Sequence, residues 1–193
     1  VSTDYVFDGS KRQPYEERDL PAPLNVYGVS KLAGEQMVAA ALERYFVVRT
    51  SGLYGHHPCR AKGGDNFVEL MLRLARERGA VKVVNDEFVT PTFTADLAMQ
   101  IRRLGASTDY GTYHATAEGG CSWWEFAAAI FELSGVEVEL AATTSDQFPR
   151  PVQRPFYSVL ENAALNARDL NVMRPWRAAL EDYLAGRESD ALS

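Results

Sequence analysis

The 193 residues predict an α/β fold: part of a doubly wound parallel sheet with a smaller α/β lobe beside it. Three observations carry that reading. A stretch rich in Ala, Leu, Glu and Lys, from about Pro23 to Arg44, runs directly into the short apolar segment Phe46-Val47-Val48. Such continuous apolar runs mark parallel strands covered on both faces. Helical and strand-like segments then alternate to the end of the chain, the rhythm of βαβ construction.

Taken in order, Val1 to Phe7 reads as the end of a buried strand feeding a Gly9-Ser10 turn, and residues 10–23 as a polar, Pro-bearing loop. The helix that follows has Leu32, Ala33, Met37, Ala40 and Ala41 on its apolar side. His56 to Asp65 is a loop. Asp65 or Asn66 caps a helix to about Arg78, with Phe67, Leu70, Met71, Leu74 and Ala75 inward. Val81 to Val84 is a strand, and Thr94 caps a helix striped with Leu97, Ala98, Ile101 and Leu104. Gly111 to Ala115 alternates as a strand. Ser122 and Glu125 form a capping box for a helix carrying Trp124, Ala127, Ala128 and Phe131, stopped by Gly135. Val136 to Leu140 is a strand, Ser158 and Glu161 a second capping box. Pro175 opens a last helix with Trp176, Ala179, Leu180, Tyr183 and Leu184 inward.

Composition excludes several classes. With 26 acidic against 20 basic residues the formal charge is -6, which argues against nucleic acid or an anionic membrane as the main partner. No apolar run approaches the ~20 residues that span a bilayer, so a cytoplasmic protein is expected. Cys59 and Cys121 show no paired spacing and read as reduced thiols. His56, His57 and Cys59 could suggest zinc, but their spacing matches no recurrent ligand set, and no metal is expected. His114 reads as a packed strand residue, the three tryptophans as core aromatics, and Arg73, Arg76 and Arg78 as a solvated helix face.

The segment that points to chemistry is Tyr27-Gly28-Val29-Ser30-Lys31. A phenol and an ammonium four residues apart share one helix face, where the positive charge favours the ionised phenol and makes it a usable proton donor near neutral pH. Thr3, at the end of an apolar segment, could bring a hydroxyl to the same place. YxxxK alone recurs by chance. Together with Ser2-Thr3-Asp4-Tyr5-Val6-Phe7-Asp8-Gly9, it resembles the extended short-chain dehydrogenase/reductase superfamily, and within it the dTDP-4-dehydrorhamnose reductase family.

That resemblance implies a Rossmann-like fold and an NAD(P)H-dependent reductase of the 4-keto group of a dTDP-linked deoxysugar, with NADPH favoured over NADH. It implies Tyr27 as general acid, Lys31 on the nicotinamide ribose as well as beside Tyr27, and Thr3 orienting the carbonyl. Ser51, Gly52 and Leu53, in the stretch Arg49 to Gly55, would lie against the cofactor; Asp4, Tyr5, Gly52, Asn66 and Arg154 would meet the substrate. Arg154 suits a diphosphate because a guanidinium pairs phosphate oxygens in a fork; Arg60 and Lys62 are weaker candidates for the same anion. Related dehydratases place two carboxylates directly after the threonine. Here the second position is Tyr5, so simple ketone reduction outranks dehydration. Family members often carry tryptophan where this chain has Gly52, which bears on the sugar bound.

The resemblance runs over nearly all of the chain yet covers only the latter part of the family fold, since no GxxGxxG-type turn follows a first strand. Residues 1–60 are therefore expected to be the C-terminal part of a dinucleotide-binding domain lacking its N-terminal half, about three βαβ units of ~30 residues each. Residues 61–193 are expected to form an interleaved substrate-binding lobe. The isolated chain should bind cofactor poorly and turn over little. Two other readings stand beside this one. A non-catalytic regulatory protein is one, because the regulatory β subunit of methionine adenosyltransferase resembles the same family. A reductase or epimerase acting on a different nucleotide sugar is the other. The oligomeric state is open, a homodimer being one option.

Overall fold

A computed structural model describes residues 1–57, 64–148 and 151–191; Cys59, Arg60 and Lys62 lie outside them. Strand β1 is only Ser2–Thr3, shorter than the expected run to Phe7. Thr3 accepts the Tyr5 N–H on its hydroxyl and opens a 3-10 turn over Asp4–Val6. Short polar side chains offer the backbone such local alternatives to a ladder. Helix α1 covers Val26–Ala41, its first turn capped by Asn25, whose side chain accepts from the Gly28 N–H at 2.9 Å. β2 follows at Phe46–Thr50 and lies parallel to β1, with Thr3 opposite Thr50.

The remaining elements are β3 (Leu53–Tyr54), α2 (Phe67–Arg78), β4 (Ala80–Val84), β5 (Phe88–Val89), β6 (Thr92–Phe93), α3 (Thr94–Gly105), β7 (Gly111–His114), β8 (Cys121–Ser122), α4 (Trp123–Ser134), β9 (Glu139–Thr143), α5 (Ala163–Asn166) and α6 (Trp176–Ala191). β7 returns to the first sheet and pairs parallel with β2, so the sheet order is β1-β2-β7. Two small parallel pairs, β3-β6 and β4-β9, and the antiparallel pair β5-β8 complete the described ladders. Among the described residues no helix is long and apolar enough to cross a membrane.

The largest core joins Tyr54, Leu72, Phe126, Ile130, Leu180 and Tyr183 around α2, α4 and α6. Trp123, Trp124 and Trp176 border it, as core aromatics should. A second core under the sheet joins Val48, Leu97, Leu104, Tyr113 and Leu165. The Ser122–Glu125 capping box forms with both hydrogen bonds present, and α6 buries Ala179, Leu180, Tyr183 and Leu184 as its stripe predicts.

Several expectations are corrected. In α1 only Leu32 of the predicted stripe reaches a core; Met37 is 73% exposed, and Ala33, Ala40 and Ala41 face outward. The residues α1 buries are Gly28 and Glu35, because its contact face is polar. In α3, Ala98 and Ile101 are exposed and their places are taken by Asp96 and Gln100. Asp96 pairs with Arg174 at 2.9 Å, and Gln100 bonds the backbone at Leu170 and Val172, tying the C-terminal segment to the sheet. Thr94 is the first helical residue rather than the cap. The final ladder strand is shifted to Glu139–Thr143. No helix begins at Ser158; its hydroxyl turns toward Phe88 O, and α5 starts only at Ala163.

Candidate active site

Parallel sheets bind ligands beyond the carboxyl ends of their strands; of the predicted site residues, Thr3, Asp4 and Tyr5 stand at that end of β1 and Ser51 and Gly52 at that end of β2. Thr3 is buried there. Its hydroxyl lies 2.9 Å from Asp4 Oδ1 and 3.3 Å from the Tyr5 N–H. Asp4, 4% exposed, accepts the Ser51 hydroxyl on Oδ2 at 2.9 Å, and Ser158 adds a further hydrogen bond. Burial raises the Asp4 pKa, which those three hydroxyls only partly oppose. The carboxylate expected to face a sugar thus has both oxygens engaged by the protein and ties β1, β2 and the C-terminal segment together. Opposite Thr3 in the ladder, the Thr50 hydroxyl is buried without a hydrogen-bond partner.

Tyr27 and Lys31 come to this place from α1. A side chain on Gly28 would collide with the Tyr5 carbonyl oxygen, so glycine lets the first helical turn lie directly on the 3-10 turn. The Tyr27 ring then meets the Tyr5 ring edge-on, centroids 5.9 Å apart, and stays 54% exposed. Lys31 Nζ donates to the Val1 carbonyl at 2.5 Å, two residues before Thr3. Tyr27 thus reaches the segment just after β1 through Tyr5, and Lys31 reaches the residue just before it through Val1.

Sequence reasoning missed what holds α1 in this pose. Glu35, one turn beyond Lys31, is buried against Arg49 of β2, with Arg49 Nη2 at 2.7 Å and Nε at 3.0 Å, and it also accepts the Ser2 hydroxyl. Nothing in the sequence reading singled Glu35 out. The available signal was its spacing: positions 27, 31 and 35 fall on one face. On the same side Arg49 lies over the Phe7 ring. His114 is fully buried, with Nδ1 near the Tyr15 and Glu161 carbonyls, and burial together with Arg49 pulls its pKa down to about 3. It is a neutral packed histidine, as expected.

The other candidates divide. Gly52 has φ +57, and a Cβ there would stand 2.8 Å from the Thr90 carbonyl oxygen. A tryptophan on this backbone would be strained and would press on Thr90 and Pro91. Leu53 is partly exposed in β3. Asn66 caps α2 through Glu69 N–H at 3.1 Å, while its amide donates to Gly55 O and the Tyr183 hydroxyl. Arg154 is exposed, and its segment is drawn to the site. Asn25, just ahead of α1, donates to Gln153 O at 2.9 Å, and Gly9, at φ +81, lets Pro155 and Phe156 cross its turn. His56 stacks on Tyr183 at 4.7 Å.

Residues 1–188 match the family described as the RmlD substrate binding domain. The chain belongs to that family. It is 42% identical over 189 residues to the spore coat polysaccharide biosynthesis protein SpsK of Bacillus subtilis, covering 98% of this chain and 64% of that protein. It is 43% identical to the dTDP-4-dehydrorhamnose reductase of Streptomyces griseus, covering 94% of this chain and 60% of the relative. Among solved structures, the dTDP-4-dehydrorhamnose reductase of Bacillus anthracis in complex with NADP superposes with a TM-score of 0.90 at 40% identity, covering 96% of this chain and 64% of that one. The family member thus spans under two thirds of the length of these relatives.

Proposed function

We propose that this family member forms the substrate-facing part of an NADPH-dependent reductase that converts the 4-keto group of a dTDP-linked deoxysugar to an alcohol, as in dTDP-4-dehydrorhamnose to dTDP-rhamnose. The observation that supports the reading is that Tyr27 packs on Tyr5, two residues after Thr3, while Lys31 donates to the Val1 carbonyl, two residues before it, in a chain about 40% identical to proteins of that name. In this reading residues 1–60 belong to the dinucleotide-binding domain and 61–193 to the substrate lobe, with β7 crossing back into the sheet.

The residues fit a nicotinamide group: a half-exposed phenol, an ammonium one turn on, and a buried hydroxyl at Thr50 with no partner of its own. Tyr27 and Lys31, with Ser51, Gly52 and Leu53, would hold that end of the cofactor, which supplies hydride when bound. Tyr27 gives its phenolic proton to the sugar oxygen as negative charge develops there. Lys31 keeps positive charge beside the phenol and helps hold the ribose. Thr3 fixes the direction of the carbonyl, and Tyr5 walls the sugar side. Arg154 meets the diphosphate as a two-pronged donor.

The test uses the full-length gene product with NADPH and dTDP-4-dehydrorhamnose, following loss of NADPH absorbance. Tyr27→Phe is expected to lower kcat by about 10²–10⁴-fold, the usual worth of a positioned general acid. Wild-type protein without turnover, or a Tyr27→Phe variant as fast as wild type, would overturn the reading.

A further inference from the structure

Proton counting at Thr3 leads beyond a simple binding role for its neighbour. A threonine hydroxyl has one proton and two lone pairs. One lone pair of Thr3 Oγ1 takes the Tyr5 N–H, and the hydroxyl also faces Asp4 Oδ1 at 2.9 Å. An ionised carboxylate only accepts, so with Asp4 charged the single Thr3 proton is committed to it. Thr3 then has nothing but a lone pair to offer a ligand. A ketone oxygen is likewise acceptor-only, and the two would face each other with no proton between them.

We propose that Asp4 is a positioning residue whose own proton sets the direction of the Thr3 hydroxyl. Protonated, it donates to Thr3 Oγ1 and frees the Thr3 proton to point at a substrate carbonyl. Ionised, it draws the Thr3 proton back, and Thr3 becomes an acceptor suited to the hydroxyl of the product alcohol. The inference rests on the proposed reductase reading only in placing Thr3 against the reacting oxygen.

The surroundings of Asp4 suit both forms. Ser51 donates to Oδ2 at 2.9 Å, which leaves Oδ1, on the Thr3 side, as the home of the proton. Burial disfavours the charged form, in line with the raised pKa. The titratable groups on the elements packed around it are Tyr5 on its own turn, Tyr27, Lys31 and Glu35 on α1, Arg49 on β2, and Arg154 and Tyr157 on the C-terminal segment. Glu35 and Arg49 pair with each other; Arg49, opposite Ser2 in the ladder, points to the sheet face away from Thr3 and Thr50. Lys31 is held on the Val1 carbonyl. Hydroxyls rather than charges thus fill the first contacts of Asp4.

The experiment has two arms. In the 193-residue chain, ¹³C carboxyl NMR follows the Asp4 signal, identified by its loss in Asp4→Asn, through a pH titration. Its midpoint is expected clearly above the ordinary aspartate value of about 3.9. In the full-length gene product, ketone reduction is expected to fall about tenfold per pH unit above that midpoint while oxidation of the product alcohol rises over the same range. Asp4→Asn, whose amide can donate to Thr3 at every pH, should lose that limb and reduce ketone at least about tenfold faster than Asp4→Ala, the worth of one hydrogen bond. An Asp4 titration at the ordinary value, or an Asn variant no faster than the Ala variant with the limb retained, would overturn the proposal. An elevated midpoint in a protein that never turns over would support the Asp4 assignment and overturn the reductase reading alone.

Discussion

α4 and α1 are neighbours to their surroundings in opposite ways. α4 turns Phe126, Ala127, Ala129, Ile130 and Phe131 inward, joining the largest core of the molecule. α1 is longer, yet it buries only a glycine and a glutamate, while Val26, Val29 and Met37 face outward. Apolar burial is strong but non-directional; it holds α4 firmly without demanding one orientation. A glutamate on a guanidinium, and a glycine pressed on a carbonyl oxygen, permit little rotation of α1. The helix that carries Tyr27 and Lys31 is thus held by contacts that fix its pose, and the helix that carries no site residue is held by contacts that fix its stability.

Mutations can break this contrast, and the largest effect should come from the core around α4. Phe126 is fully buried among Tyr54, Phe67, Trp123 and Trp176, so Phe126→Ala should destabilise the chain by about 3–5 kcal/mol in urea unfolding. A cost below about 1 kcal/mol would mean the lobe does not carry the fold. Glu35→Ala should come next, at about 3 kcal/mol, because it leaves the Arg49 charge buried and unpaired. Replacing Glu35 and Arg49 together by Met should recover most of that loss while lowering turnover in the full-length protein, separating stability from pose. If the double variant keeps full turnover, the ion pair is a structural tie only. The smallest effect is expected at Met37, where Met37→Lys should change the unfolding free energy by under about 0.5 kcal/mol in the same urea measurement.

Much of the fold could be read from periodicity. The α4 capping box and the α6 stripe stand where residue spacing puts them, since both are local or strongly apolar signals. The α1 stripe misled because Ala and Met alternate at helical spacing whether or not a core lies opposite. In α3 the pattern of apolar residues could not show that Asp96 and Gln100 would find Arg174 and the 170–172 backbone some 70 positions away in sequence. Ser158 failed for the same reason: a Ser followed by Glu three residues on suggests a cap, and its hydroxyl donates to Phe88 O instead. Of the candidate site, Tyr27, Lys31 and Thr3 could be named from the sequence, whereas the Glu35–Arg49 pair beside them could not.

What this sequence determined by itself was the set of local rules: which segments coil, which extend, where Asn66 and Ser122 start helices, and that a phenol and an ammonium share a face one turn apart. Those follow from short-range sterics and hydrogen bonding, which act between residues a few positions apart. Only the tertiary structure decided that Glu35 meets Arg49, that Asp4 gathers the hydroxyls of Thr3, Ser51 and Ser158, and that Gly28 gives way to the Tyr5 carbonyl. Those contacts join distant segments, and their partners are chosen by the packing of the whole chain, where a buried polar group must find whatever donor or acceptor the fold brings within reach.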